Sequence, residues 1–124
     1  MEVTFEPIGE IMKMGGPWTA RVSIDGTELK GEYLLQPAVT DNTETMLALV
    51  MPLEEKSFLV SRLRFAVVVV DTVNKKQYLS RETFRYLYIE SFANDELICH
   101  TAFHNEDAKN KFLLRFDPTA FTTY

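Results

Sequence analysis

Along most of this chain apolar and polar residues alternate with a period of two, and short polar turns punctuate the runs. Trp18-Thr-Ala-Arg-Val-Ser-Ile24 places Trp18, Ala20, Val22 and Ile24 on one face of an extended segment. Asp25-Gly26 follows, a type I′ hairpin signal, since both central positions of that turn need φ > 0. Thr27 to Lys30 is then the returning strand. A second hairpin is predicted from Arg85–Phe92 and Leu97–Phe103, with Ala93-Asn-Asp-Glu96 as its turn. Between the two hairpins, Glu32–Val39 reads as a strand that Pro37 confines to an edge or terminates. Met46–Met51 is a short apolar run closed by Pro52, and Glu54-Glu55-Lys56 reads as a charged turn. Phe65-Ala-Val-Val-Val-Val70 is apolar on both faces, the mark of a central strand covered on each side.

The remaining segments fit the same scheme. Thr4–Met14 is broken by Pro7 and Gly9, and Gly15-Gly-Pro17 is a turn. Val73–Lys76 is another turn, Gln77–Ser80 a strand, and Lys111–Phe116 the last long strand. Only 80–86 and 105–112 offer a helix, and each would be brief. The pattern predicts an all-β domain over 1–124 of roughly nine or ten strands. Its form is an antiparallel β-sandwich or a strongly curled sheet, half-barrel or propeller-like, with at most one or two short helical turns. Val67, Val69, Leu87, Ile89, Ile98 and Phe103 are the expected core.

Composition narrows the class further. A chain of 124 residues with 46% hydrophobic content has enough apolar surface for one core without covalent staples. Its one cysteine, Cys99, forms no internal disulfide, so no oxidising compartment is needed. The acidic start Met1-Glu-Val-Thr-Phe-Glu6 is unlike a secretory leader, and the longest apolar run is far too short for a bilayer. These features point to the cytoplasm and away from a membrane.

The charge is lopsided. Residues 1–55 carry ten acids against three bases, a balance of −7, within an overall −5. Such a half repels a phosphate backbone and attracts a basic partner. The aromatics interleaved with Arg62, Arg64, Arg81 and Arg85 therefore read as sheet packing, not as a nucleic-acid face.

No constellation points to catalysis, a metal or a cofactor. His100 and His104 are the only histidines, and on a strand they lie about 13 Å apart, too far to chelate one ion. Cys99 and His100 are neighbours and face opposite ways, which disfavours a nucleophile pair; Cys99 shares its face with Leu97 and reads as core. Glu90 sits mid-strand and is expected outward, or paired with Arg85 or Arg115 if inward.

Three stretches carry a resemblance: Glu10-Ile-Met-Lys-Met-Gly-Gly-Pro17, Val22-Ser-Ile-Asp-Gly26 and Gly31-Glu-Tyr-Leu-Leu-Gln-Pro37. Together they resemble the small all-β cytoplasmic immunity proteins of bacterial contact-dependent inhibition and related polymorphic toxin systems. The resemblance covers the first third of the chain and rests on turn chemistry. It implies a stoichiometric inhibitor that occludes a basic toxin domain, often a nuclease, and it carries over no binding residues. The residues themselves offer carboxylates for such a partner: Asp41, Glu44, Glu54 and Glu55 on turns, with Glu28 and Glu32 near a hairpin. Two other readings compete. One is a β-barrel carrier with an apolar cavity; the other is a small enzyme using His100 or His104 beside Glu90, Asp95 or Glu106.

Overall fold

The Val-rich segment forms the centre of the molecule. In a computed structural model, which describes residues 1–10, 18–56, 61–101 and 111–124, β6 (Met46–Lys56) and β7 (Ser61–Asp71) make the longest antiparallel pair. Alternate residues of this pair enter two separate cores. Ala48, Val50, Phe65, Val67 and Val69 face one; Leu47, Leu49, Met51, Val68 and Val70 face the other. A strand covered on both sides must be apolar at every position, and Phe65–Val70 meets that demand.

Ten further strands complete the described fold: β1 (Val3–Glu10), β2 (Trp18–Ile24), β3 (Thr27–Glu28), β4 (Tyr33–Leu34), β5 (Ala38–Thr40), β8 (Lys76–Ser80), β9 (Tyr88–Ala93), β10 (Glu96–His100), β11 (Lys111–Arg115) and β12 (Phe121–Thr123). They form three antiparallel sheets. The middle sheet has the order β12-β8-β7-β6-β5. On one side lies β1-β2-β3 with β4 also paired to β2; its Val22, Ile24 and Tyr33 join one core. On the other side lies β11-β10-β9, which contributes Ile89, Phe92, Leu97 and Cys99 to the second core. The all-β expectation holds, and no helix occurs among the described residues.

Turn chemistry explains the hairpins. Asp25 and Gly26 have φ of 49° and 84°, and Asn94 and Asp95 have φ of 51° and 61°, so both two-residue turns have the primed geometry that matches strand twist. Proline also sits where its missing donor matters least. Pro52 lies inside β6, not at its end, opposite Phe65. Phe65 directs its own N–H and C=O to Phe84 on the far side, so the ladder asks no hydrogen bond of Pro52. Farther along, where β8 leaves β7, the hydroxyl of buried Ser80 accepts from Val67 N–H at 3.0 Å and donates to the Glu82 carbonyl.

Several expectations change. Glu54-Glu55-Lys56 is not a turn, because β6 continues through Lys56 once Pro52 is accommodated. Segment 81–86 is not helical; Phe84 makes a β-bridge to Phe65 instead. Ile98 is 40% exposed, not core. Leu97 and Cys99 occupy the inner face of β10, and a period of two puts Ile98 outside, opposite Leu113. Val67, Val69, Leu87 and Ile89 are buried as expected. The 105–112 helix is not formed at its end, where Lys111 and Phe112 belong to β11; its residues 105–110, the Gly15-Gly-Pro17 turn and Phe103 lie outside the described residues.

Replacing Val69 by Asp should test the double-sided burial. An unpaired carboxylate would stand in a dry core between the middle sheet and the β9–β11 sheet, and we expect a loss of about 4 kcal/mol or more. Urea unfolding monitored by circular dichroism would show it; an unchanged midpoint would mean that this strand is not central.

Candidate functional site

Hairpins alternate their direction, and that gathers particular turns at one end of the molecule. Met46 pairs with Asp71, so the β5–β6 loop and the β7–β8 turn share an end. Thr45 C=O accepts from both the N–H and the hydroxyl of Thr72, tying the two together. Asn42 and Asn94 exchange hydrogen bonds of 3.2 and 3.3 Å, which brings in the β9–β10 turn. The β2–β3 turn completes the set, because its residues line one cleft with Asp71, Thr72 and Lys75. These four tips carry Asp25, Glu28, Glu44, Asp71 and Asp95, with Lys75 and Lys76 as counter-charges on the β7–β8 tip.

The carboxylates at this end divide by what they already bind. Asp41 is buried, not presented: its Oδ1 accepts from the N–H of Thr45 and Met46, and its Oδ2 from the Thr43 hydroxyl. It builds the loop, and the polar segment 40–45 is ordered around it. Asp71 closes its own turn, accepting from the backbone of Val73 and Asn74 and from the Asn74 amide. Burial pushes its pKa up, but the Asn74 and Val73 hydrogen bonds and nearby Lys76 outweigh that and hold it below the usual carboxylate range. Asp25 accepts from Glu2 N–H at 2.8 Å through Oδ1. Glu28, Glu44 and Asp95 are exposed, and among the described residues nothing pairs with their side chains.

The six carboxylates singled out from the sequence are thus not one site. Glu28 and Glu44 belong to the tip end, with Asp41 spent on the loop beside them. Glu32 is exposed next to buried Tyr33, away from the tips. Glu54 and Glu55 lie at the opposite end of β6, about 26 Å from Met46 at about 3.3 Å per residue. There they stand in register with Leu63 and Arg62 on a strand end rich in arginine. Of Glu55 only this backbone position is described. Asp25 and Asp71 carry no site signal in the sequence, because aspartate in a tight turn reads first as turn chemistry; Asp95 enters the sequence reading only as a carboxylate beside a histidine.

The histidine and cysteine candidates sit elsewhere. His100 is fully buried on the outer face of the β9–β11 sheet, its ring stacked on Tyr88 at 4.9 Å between centroids. Among the described residues neither ring nitrogen has a hydrogen-bond partner. Glu90, on the same sheet, is held by Lys111 at 2.9 Å and not by Arg85 or Arg115. His104 and Glu106 lie outside the described residues. Cys99 is buried in the core as expected, and desolvation pushes its thiol up to about 12. Among the described residues no group of three or more metal-binding side chains converges. Among the described residues no helix is long and apolar enough to cross a membrane.

Comparison of the chain with protein-family models, with curated proteins and with solved structures gives no match.

Two substitutions separate scaffold from surface here. Asp41→Ala should cost about 1–3 kcal/mol, because the Thr45 and Met46 N–H groups lose their acceptor, whereas Glu44→Lys should leave stability within about 0.5 kcal/mol. Denaturant midpoints would check both. His100→Phe should preserve or raise stability by about 1 kcal/mol, since it removes two buried, unsatisfied ring nitrogens. A clear loss in thermal melting would show instead that those nitrogens are engaged.

Proposed function

We propose that this chain is a protein-binding inhibitor of the immunity type, which caps a basic partner domain with its acidic tip end. The observation that carries the reading is the gathering of four carboxylate-bearing tips at one end, three of them tied by hydrogen bonds and the fourth facing them across a cleft. Rigid placement matters. Carboxylates on braced turns lose little entropy when a cationic surface docks, and their summed field steers the encounter. Glu28, Glu44 and Asp95 are the groups still available to a partner; Asp25 and Asp71 add fixed negative charge behind them.

A toxin domain that acts on nucleic acid has to attract phosphate, so its cleft is positive. An acidic end that occupies that cleft competes with the substrate for the same field. The interaction would occur in the compartment where the toxin acts, for which the cytoplasm is our reading. The carrier reading finds less support: both cores flanking the middle sheet are filled by side chains such as Phe65, Leu87, Tyr33 and Leu49, all buried. The enzyme reading draws no support from His100, which is sealed from solvent where it stands.

The test takes as partner a basic toxin domain, to be sought in the neighbouring gene. Co-expression should relieve growth inhibition, and the two purified proteins should sediment as a one-to-one complex. The double variant Glu44→Lys, Asp95→Asn should keep its fold. It should slow association about threefold or more at low salt and flatten the salt dependence, because exposed rim charges act mainly on the association rate. Stopped-flow mixing at low and physiological salt would measure this. Absence of a complex would overturn the proposal; unchanged rates would remove the tip end from it.

A further inference from the structure

The tip end contains a cleft of about 390 Å³ between the β2–β3 hairpin and the β7–β8 turn. Its floor is apolar: Ile24 and Val70 are buried beneath it, and half-buried Leu29 forms one side. Its walls are polar, with Thr27, Thr72 and Gln77. Its rim holds Asp25, Glu28 and Asp71 against the single cation Lys75. The volume falls at the small end of the range for ligand sites, room for one long side chain and not for a helix or strand.

We infer that this cleft receives one arginine side chain of the basic partner, as the anchor of the interface. The inference rests on the reading of the chain as an inhibitor of a basic domain, and it names the group recognised. An occupant must match an apolar floor and a negative rim together. An arginine does so: its methylene stem lies on Ile24, Leu29 and Val70 while the guanidinium stays at the rim. That plane carries five donors, and the rim supplies separated acceptors in the Glu28 carboxylate and the Oδ2 of Asp25, which has no partner among the described residues. Lysine is the poorer match, because its compact ammonium is more strongly hydrated and cannot bridge two carboxylates through a planar fork. The anion classes are disfavoured by the rim charge.

The cleft is also preformed. Asp25 fixes one wall by accepting from Glu2 N–H at 2.8 Å, and Asp71 holds the opposite wall by three hydrogen bonds within its turn. Gln77 is fixed by its amide donating to the Tyr33 hydroxyl at 2.7 Å. An anchor pocket that needs no rearrangement is where interface energy concentrates. Lys75 is the cation that lines the cleft and opposes a cationic guest, and that gives the inference a signed test.

The probe is the peptide acetyl-Gly-Arg-Gly-amide, titrated into the full-length chain with amide shifts followed by NMR. Saturable shifts are expected at Gly26, Thr27, Leu29 and Thr72. The neutral citrulline analogue, nearly the same shape, should bind about fivefold weaker or less, and the lysine analogue about threefold weaker. Glu28→Gln should weaken the arginine peptide about threefold, whereas Lys75→Gln should tighten it about twofold. Both residues are exposed, so neither change threatens the fold. Equal binding of arginine and citrulline peptides, or the same sign for both variants, would overturn the inference. Preferred binding of the lysine peptide would overturn the arginine assignment. The two proposals fail separately. If the toxin still depends on Glu44 and Asp95 while the peptide ignores Glu28 and Lys75, the cleft is excluded and the inhibitor reading stands. If the peptide behaves as expected but no toxin complex forms, the cleft stands and the inhibitor reading falls.

Discussion

Everything in this fold depends on burying the β6–β7 ladder on both faces. Two adjacent strands with no wet side offer nothing for water, so a sheet must lie over each face. The β1–β4 sheet covers Leu47, Leu49, Val68 and Val70; the β9–β11 sheet covers Ala48, Val50, Val67 and Val69. Neither outer sheet is wide, and each has its own wet face. They are held because the ladder gives each one an apolar surface to cover.

That arrangement has a consequence for charge. The chain runs up and down largely in hairpins, so turns from distant parts of it arrive at the same end. The tips at Asp25-Gly26, at 41–45, at 72–75 and at Asn94-Asp95 meet there, and Asp25, Glu28, Glu44, Asp71 and Asp95 meet with them. At the opposite end of the middle sheet Glu54 and Glu55 stand in backbone register with Leu63 and Arg62. Acidic turns therefore gather at one end of the strands. That gathering does not follow the division into an acidic first half and a mildly basic second half, because Asp71 and Asp95 come from the second half and Glu54 and Glu55 from the first.

Carboxylates that look alike in a turn then do different things. Asp41 and Asp71 accept hydrogen bonds from their own loops, which satisfies donors that the strand ends would leave unpaired. Glu28, Glu44 and Asp95 remain at the surface. The first group makes the tips rigid and the second can meet a partner, so the stiffness of the end and its charge come from neighbouring residues of the same type.

Local pattern by itself determined a good deal here. Period-two alternation, the Asp25-Gly26 turn and the two-sided Val run specify an all-β chain, two of its hairpins and its central strand, because these signals act between residues close in sequence. Parity along β10 overrides hydrophobicity: Ile98 is expected in the core by residue type, but Leu97 and Cys99 inside require it outside. What only the tertiary structure decided depends on distant partners. Pro52 continues a strand because Phe65 bonds to Phe84 instead, a choice invisible from residue 52 alone. Asp41 turns inward because two N–H groups await it, while Glu44, three residues on, does not. The acidic end itself arises from strand direction and sheet stacking, which bring together turns that lie tens of residues apart and carry no mark of one another in the sequence.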